Sequence, residues 1–152
     1  MSVGKVLVLR GLPGSGKSTF VEKLPKYSHH YTVVSADHFF TRTGSYVFDP
    51  KKLGEAHAEC FRYALKVLQG PECYNVLVVD NTNISSWEPS PYVQAAAAFG
   101  VECEIVTLWC DPVVAAQRNV HKVPLPVILR MYNRLLNEEL PAHWKQRIEI
   151  ST

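Results

Sequence analysis

The sequence predicts an α/β fold in which helices cover both faces of a central parallel sheet. Short runs rich in valine and leucine, typical of strands buried on both faces, recur along the chain. Helical segments separate these runs, and this alternation is typical of βαβ units, whose strands are parallel. At 152 residues, the chain fits a single domain, residues 1–152, better than two.

The N-terminal third of the chain contains two predicted strands. Residues 5–10 (KVLVLR) form a Val/Leu run that stops at a glycine-rich turn, which predicts a buried strand. Residues 17–26 have helical character that Pro25 interrupts. Residues 32–35 are the second predicted strand, and residues 41–48 (TRTGSYVF) have the composition of a loop.

A long helix and a third strand are predicted next. Asp49 followed by Pro50 favours a helix start, because Asp is a good N-cap and proline fits the first helical position. The helix is predicted to run to Gln69, where a Gly-Pro pair ends it. Its predicted apolar stripe consists of Ala56, Cys60, Tyr63, Ala64, Val67 and Leu68. Residues 75–80 (NVLVVD) are predicted as the third buried strand.

The C-terminal half contains three further predicted helices. Residues 88–99 are predicted as a helix that the following glycine closes, and residues 102–109 alternate as a strand does. A second Asp-Pro pair starts a helix over about residues 111–119, and the last helix covers about residues 126–139. The weakly patterned tail, residues 141–152, either holds a short fifth strand or is an irregular end.

Composition and charge disfavour several classes of protein. No apolar run approaches the roughly 18 residues of a membrane span, and the N-terminus lacks the pattern of a secretory signal. The cysteines form no C-x-x-C pair, so we expect free thiols in a reducing compartment, which predicts an intracellular protein, cytoplasmic or nuclear. The net charge of +2 is too small to indicate a nucleic-acid partner by itself. The four cysteines are Cys60, Cys73, Cys103 and Cys110.

Residues 11–18 (GLPGSGKS) match the phosphate-loop pattern G-x-x-x-x-G-K-[ST], with a predicted strand before and a predicted helix after. The glycines allow a tight turn, so that backbone N–H groups and the helix N-terminus form an anion site. Lys17 would reach the β- and γ-phosphates, Ser18 would bind Mg²⁺, and Thr19 would touch the α-phosphate. The sequence therefore predicts that ATP or another NTP, with Mg²⁺, is bound by Gly14, Ser15, Gly16, Lys17, Ser18 and Thr19.

This loop makes the fold prediction more specific. We expect a P-loop NTPase three-layer sandwich whose central parallel sheet has four strands, or five if the tail contributes one. The sequence contains no guanine-specific N-K-x-D motif, which disfavours a GTPase, and motor ATPases need a longer chain. Small phosphotransferases remain, with a helical lid at about residues 112–135.

Two aspartates are predicted at the same rim of the sheet as the phosphate loop. Ligands of open α/β sheets bind beyond the carboxyl ends of the strands, and Asp37 and Asp80 occupy those ends of the second and third strands. Asp80 is predicted to bind Mg²⁺ through water, and the alternative is a turn cap for the DNTN segment. Asp37 is either the cap of a short helix, a role that Ser35 could also fill, or a general base.

The predicted lid contains four cations. Arg118 and Lys122 are four residues apart, as are Arg130 and Arg134, so each pair could share a helical face. A cation placed over the γ-phosphate neutralises charge in the transition state. The alternative for each pair is a solvated basic face.

Six segments form a larger pattern: RGLPGSGKST, SADHFF, YVFDPKKLGEAHAEC, VVDNTN, PYVQAAAAFG and AAQRNVHKVPLPVILRM. In this order they resemble the 5′-hydroxyl polynucleotide kinases, which include phage-type kinase-phosphatases, kinase modules of some RNA ligases and animal kinase-like domains. The resemblance extends from about Lys5 to about Arg134. Many kinases share the phosphate loop, whereas the D-H-F-F, D-N-T-N and R-N-x-H-x-V-P segments are more specific.

The resemblance implies roles for individual residues. Asp37 falls on the general base that activates the acceptor 5′-hydroxyl. Arg118 falls on a lid arginine, and Lys122 lies where a second lid cation occurs. Asn83 falls where the family lines the acceptor groove.

One position departs from the pattern of the phage-type enzyme. Phe40 stands where that enzyme has an arginine that holds the acceptor phosphate, and Arg42 could replace this arginine from the loop. Phe39 or Phe40 could instead offer a stacking face to an end base.

The resulting prediction is a polynucleotide 5′-hydroxyl kinase that transfers the γ-phosphate of ATP or another NTP to an RNA or DNA end. Lys17, Asp37 and Arg118 are the predicted catalytic residues. One alternative is a small-molecule kinase that acts on a nucleoside or sugar. The other is a non-catalytic NTP-binding module.

Overall fold

The computed structural model describes residues 4–25, 30–70 and 76–151. Within these ranges, five parallel strands form one sheet in the order β2-β3-β1-β4-β5. The strands are Lys5–Arg10 (β1), Tyr31–Val34 (β2), Val76–Asp80 (β3), Glu102–Trp109 (β4) and Lys145–Ile150 (β5). The predicted parallel sheet is therefore confirmed, and the tail contributes the fifth strand, which pairs with β4 at an edge.

Six α-helices connect and flank these strands in the described ranges. They are Lys17–Glu22 (α1), Asp37–Thr41 (α2), Leu53–Gln69 (α3), Ser90–Ala98 (α4), Pro112–Arg118 (α5) and Leu125–Asn137 (α6). A 3₁₀ turn, Pro50–Lys52, leads into α3, and the Asp49 carboxylate caps it by accepting the Lys51 N–H at 3.0 Å. The helix α1 is shorter than predicted, and the predicted end at residue 26 lies outside the described residues. None of the helices seen in these ranges is long and apolar enough to cross a membrane.

Alternate residues of the strands face two different helical layers. Val6 and Val8 of β1 pack in a cluster with residues of α3 and α4, whereas Leu7 and Leu9 pack in a cluster with residues of α1. Burial on both faces explains why the central strands are continuously apolar. The helices therefore form outer layers around a central sheet, as predicted.

Two details of the predicted core have different outcomes. Tyr63, assigned to the apolar stripe of α3, is 49% exposed, so that assignment is wrong. Ala56, Cys60, Ala64, Val67 and Leu68 are buried as predicted. Cys60, Cys103 and Cys110 are free thiols that are buried or half-buried, as expected, and Cys73 lies outside the described residues.

The strand order creates the crevice that holds the candidate site. β1 lies between β3 and β4, so the chain leaves β1 toward one side of the sheet and crosses to the other side after β3. Leu9 pairs in register with Asp80, and the Gly11 N–H donates to the Thr82 carbonyl at 2.9 Å. The loop after β1 and the end of β3 are thereby joined at the rim where ligands of open α/β sheets bind.

Candidate functional site

The phosphate loop follows β1 and ends at the N-terminus of α1. Gly14 and Gly16 adopt left-handed backbone conformations, with φ of 80° and 97°. A Cβ on Gly14 would lie 2.1 Å from the Ala115 carbonyl oxygen, so only glycine lets α5 approach the loop this closely. Gly16 occupies the N-cap of α1 and offers no side-chain cap, which leaves the first N–H groups of the helix to an anion.

Two side chains of the loop have features that fit a phosphate. Lys17 folds back along the loop, where its Nζ donates to the Gly11 and Leu12 carbonyls at 3.2 and 2.8 Å. Ser15 is fully buried, and its Oγ has no hydrogen-bond partner among the described residues. A buried hydroxyl without a partner is unusual, and a bound anion would supply one. Burial lowers the pKa of Lys17, and attraction to Asp80 and Asp37 opposes that shift.

Asp80 ends β3 at the same rim. Burial raises the pKa of its carboxyl, whereas the nearby Lys17 charge lowers it. Ser18 follows Lys17 in the first turn of α1, with an exposed side chain. The Asp80 and Ser18 oxygens are of the kind that Mg²⁺ prefers. The described residues contain no cluster of three His, Cys, Asp or Glu side chains that could hold a metal ion.

The structure decides against the cap interpretation of Asp37. Its carboxylate makes no capping hydrogen bond to α2, and the hydroxyl of Ser35 accepts the Asp37 backbone N–H instead, at 3.2 Å. The Asp37 side chain is 49% exposed. Its carboxylate therefore remains available at the surface, on the rim that also carries Lys17 and Asp80.

Two aromatic side chains that the sequence-based prediction did not assign contact the Asp37 carboxylate. Tyr46 Oη donates to Asp37 Oδ1 at 3.4 Å, and His121 Nε2 lies 3.4 Å from Asp37 Oδ2. The Tyr46 and His121 rings also pack on each other, with centroids 4.1 Å apart. Burial raises the pKa of Tyr46 to about 12, and the Asp37 charge adds to the shift, so the phenol stays a donor at neutral pH.

His121 reaches Asp37 because a short turn closes the connection between α5 and α6. Asn119 Oδ1 accepts the Val123 N–H at 3.0 Å, and Asn119 Nδ2 donates to the Val123 carbonyl at 2.9 Å. Lys122 lies inside this turn with φ of 55°. Since α5 ends at Arg118, this turn interrupts the pair, and Arg118 and Lys122 do not share a helical face.

Arg118 lies beside the phosphate loop. Its guanidinium donates to Ser151 Oγ at 3.3 Å, and the same hydroxyl would lie 3.1 Å from a Cβ built on Gly16. Arg118 and Lys122 are both exposed. The guanidinium of Arg134 in α6 instead donates to Ser85 Oγ at 3.0 Å.

The predicted acceptor residues are not gathered in one groove. Phe40 is 5% exposed and packs edge-on against Phe39, so neither ring is an open stacking face. Asn83 is 2% exposed, and its amide donates to the Leu9 carbonyl at 2.8 Å, so it ties the segment after β3 to the end of β1 rather than lining a surface. Arg42 is exposed, but its guanidinium stacks on the Phe39 ring at 3.9 Å and pairs with Glu59 at 3.3 Å.

Asn81 is a further residue that the sequence-based prediction missed. Its Oδ1 accepts the backbone N–H of Ala36 at 2.8 Å, immediately before Asp37. Its Nδ2 donates to the Cys60 sulfur at 3.7 Å, and Tyr92 Oη donates to the same sulfur at 3.2 Å. Asn81 therefore connects the end of β3 to the start of α2. The signal in the sequence that points to Asn81 is its position directly after Asp80 in the DNTN segment.

Two sequence comparisons identify relatives of this chain. Residues 6–125 match the family model described as AAA domain. Human NEDD4-binding protein 2 is 38% identical over 134 residues, which is 85% of this chain but only 8% of that protein's length. An uncharacterized protein of Pasteurella multocida is 26% identical over 146 residues, covering 88% of this chain and 77% of that protein.

Solved structures with low sequence identity share the fold. A chain of the Pnkp1/Rnl/Hen1 RNA repair complex superimposes with a TM-score of 0.70 at 18% identity, over 90% of this chain and 45% of that chain. A gluconokinase from Sinorhizobium meliloti 1021 superimposes with a TM-score of 0.64 at 15% identity, over 100% of this chain and 85% of that chain. These likenesses confirm the predicted P-loop NTPase sandwich. The chain belongs to the AAA domain family.

Proposed function

We propose that this chain is a polynucleotide 5′-hydroxyl kinase, which transfers the γ-phosphate of ATP or another NTP to a 5′-hydroxyl end of RNA or DNA. The observation that carries the proposal is the half-exposed Asp37 carboxylate on the rim of the phosphate loop, with Tyr46 and His121 against it. A kinase that uses an alcohol acceptor needs such a carboxylate at that place. The resemblance of the surrounding segments to 5′-hydroxyl kinases supports a polynucleotide acceptor.

In the proposed reaction, the acceptor oxygen forms a bond to the γ-phosphorus, and the bond from this phosphorus to the β–γ bridging oxygen breaks. Asp37 accepts the proton of the acceptor hydroxyl, and the nucleoside diphosphate leaves. Lys17 and Arg118 neutralise charge that develops on the transferred group, and Lys122 adds a second cation. Mg²⁺ bound through Ser18 and, by way of water, Asp80 would neutralise the β- and γ-phosphate oxygens.

Arg42 is the proposed replacement for the acceptor-binding arginine. It is exposed on the segment that follows α2, although Glu59 now holds it. Phe40 is not a candidate for direct contact, because its ring is buried. In this proposal, the Arg42–Glu59 pair opens before Arg42 contacts the acceptor phosphate.

A small-molecule kinase is the second candidate. The similarity to a gluconokinase over the whole chain favours it, because a small domain of this fold can accept a free alcohol. A non-catalytic NTP-binding module is the third candidate. A small-molecule kinase with an alcohol acceptor would use the Asp37 carboxylate in the same way, whereas the binding module does not require it.

A transfer assay with γ-labelled NTP separates these candidates. The acceptors are 5′-hydroxyl RNA and DNA oligonucleotides, nucleosides and gluconate, with and without added Mg²⁺. We expect label on oligonucleotides, and we expect Asp37→Asn to lower kcat by about 100- to 10,000-fold. Asp49→Asn is the matched control, because asparagine caps a helix as well as aspartate does.

Label on nucleosides or gluconate but not on oligonucleotides would favour the small-molecule kinase. Absence of transfer to every acceptor, with intact NTP binding, would favour the binding module. Equal kcat for the Asp37→Asn and wild-type proteins would remove Asp37 from the mechanism.

A further inference from the structure

Two aromatic rings close to Asp37 are exposed or partly exposed to solvent. Tyr46 and Phe48 lie on the segment between α2 and the 3₁₀ turn, and their ring planes are 10° apart with centroids 6.4 Å apart. Phe48 is 50% exposed, in contrast to the buried Phe39 and Phe40. We call Tyr46 and Phe48 the aromatic shelf.

The buried ring of Phe40 supports the aromatic shelf. The Phe40 ring meets the Tyr46 ring at 72° and the Phe48 ring at 63°, with centroids 6.2 and 5.1 Å away. These edge contacts support the shelf from the core. His121 packs on Tyr46, which leaves Phe48 as the shelf residue with the more exposed ring.

The aromatic shelf is joined to the proposed base. Tyr46 donates to the Asp37 carboxylate, and Phe48 lies beside Tyr46. A nucleoside carries its 5′-hydroxyl and its base on the same sugar, so a hydroxyl at Asp37 brings the base close to the shelf. Lys51 and Lys52 are exposed shortly after Phe48, where they can meet the phosphates that follow the first nucleotide.

We propose that the aromatic shelf stacks on the terminal nucleobase of the acceptor strand, with Phe48 as the main contact. Stacking on an aromatic face accepts every base, which suits a site that handles ends of any sequence. This inference rests on the proposed function. It places the terminal base of the acceptor on exposed aromatic rings, whereas the rings of Phe39 and Phe40 are buried. The same chemistry would also attract the base of the NTP donor, so the test includes both.

The experiment measures binding without catalysis. A 3′-labelled 5′-hydroxyl trinucleotide is titrated with wild-type protein, and the titration is repeated with a trinucleotide whose 5′ nucleotide is abasic. Phe48→Leu keeps an apolar contact for Phe40 but removes the aromatic face, and Phe48→Trp restores one. Phe99→Leu is the control, because Phe99 is 42% exposed at the C-terminal end of α4, just before β4 begins, and so lies toward the end of the parallel sheet opposite the rim.

We expect Phe48→Leu to raise the Kd of the base-containing trinucleotide by about 5- to 100-fold. The Kd of the abasic trinucleotide and of ATP should stay unchanged, and Phe48→Trp should bind as wild type does. Unchanged binding of the base-containing trinucleotide to Phe48→Leu overturns the proposal, as does an equal loss for both trinucleotides. A loss of ATP affinity would assign the shelf to the donor base and would also overturn it.

The transfer assay keeps the two proposals apart. If phosphate is transferred to 5′-hydroxyl ends but binding does not depend on Phe48, the proposed stacking on the shelf is rejected and the kinase function is retained. Base-dependent binding through Phe48 without any transfer rejects the kinase function and retains the shelf. Wild-type protein that binds both trinucleotides equally rejects the shelf whatever the transfer assay gives.

Discussion

His121 Nε2 lies 3.4 Å from Asp37 Oδ2, so a residue of the connection between α5 and α6 contacts the carboxylate at the end of β2. The imidazole also packs on Tyr46, whose hydroxyl donates to the same carboxylate. A protonated imidazole would attract the carboxylate, whereas ring packing is independent of charge. The structure therefore connects the lid to the candidate base by two interactions that substitutions can separate.

Replacing His121 tests which interaction holds the lid turn. His121→Phe keeps a ring on Tyr46 and removes the polar contact with the Asp37 carboxylate, whereas His121→Ala removes both. We expect amide exchange of residues 119–123 to be about 3- to 10-fold faster in His121→Ala than in His121→Phe, given the usual strength of aromatic pairs. His143→Ala, at an exposed histidine that packs on Trp144, should leave this exchange unchanged. Equal exchange in the Ala and Phe variants would show that ring packing does not hold the turn.

Replacing Asn81 tests the support of Asp37. In Asn81→Ala, the Ala36 N–H loses its acceptor inside the protein, so the free energy of unfolding should fall by about 1–3 kcal/mol. Displacement of Asp37 should lower kcat while the KM for NTP changes little, since the phosphate loop is intact. The control is Asn137→Ala, which removes an exposed bond to the Asn133 carbonyl and should cost less than about 0.5 kcal/mol. Equal stability of the two variants would contradict the role of Asn81.

Two glycines with positive φ provide a matched pair for the contact between the phosphate loop and α5. Gly14 and Gly44 have φ of 80° and 96°, so alanine is strained at both. Only at Gly14 would the new Cβ collide with backbone, at 2.1 Å from the Ala115 oxygen. Gly14→Ala should therefore lower the free energy of unfolding in urea by about 1–3 kcal/mol more than Gly44→Ala. Similar losses of unfolding free energy in the two variants would mean that α5 moves away from the new Cβ at no cost in stability.

Arg42 and Glu59 should have opposite effects on the acceptor if Arg42 binds its phosphate. Arg42→Ala should raise the oligonucleotide KM by about 10-fold, because a charged hydrogen bond is lost. Glu59→Gln removes the competing partner, which lies 3.3 Å away, and should lower that KM by about 2-fold. The measurement is steady-state transfer at saturating NTP. An unchanged KM in Arg42→Ala would exclude this role for Arg42.

Asp80 should reduce stability at alkaline pH. Burial raises the pKa of its carboxyl in the folded state, so the group contributes stability at low pH that is lost as the pH rises through that folded pKa. Asp80→Asn should therefore raise Tm at pH 8 by about 2–4 °C, and the gain should shrink as the pH falls. A gain in Tm that is as large below about pH 4, where the unfolded carboxyl is also protonated, as at pH 8 would contradict a raised pKa for Asp80.

The regular elements could be predicted where the local pattern was strong. β1 has the bounds predicted from its apolar run and β4 those predicted from its alternation, and the Asp-Pro pairs at Asp49 and Asp111 do start helical segments. The sequence does not decide between a strand and an irregular end for β5, because an edge strand with mostly exposed side chains carries no apolar run. The prediction of Tyr63 in the core is wrong, since helical spacing alone does not determine how far a buried stripe extends.

The phosphate loop and the rim on which Asp37 and Asp80 lie can be predicted without coordinates. A contiguous motif and the direction of parallel strands suffice for both, because they depend on neighbouring residues and on chain topology. The contacts of each side chain emerge from the packed structure: Asp37 contacts Tyr46 and His121, whereas Asn83 is buried. Contacts between distant segments depend on how helices and loops pack, and no local pattern encodes that packing.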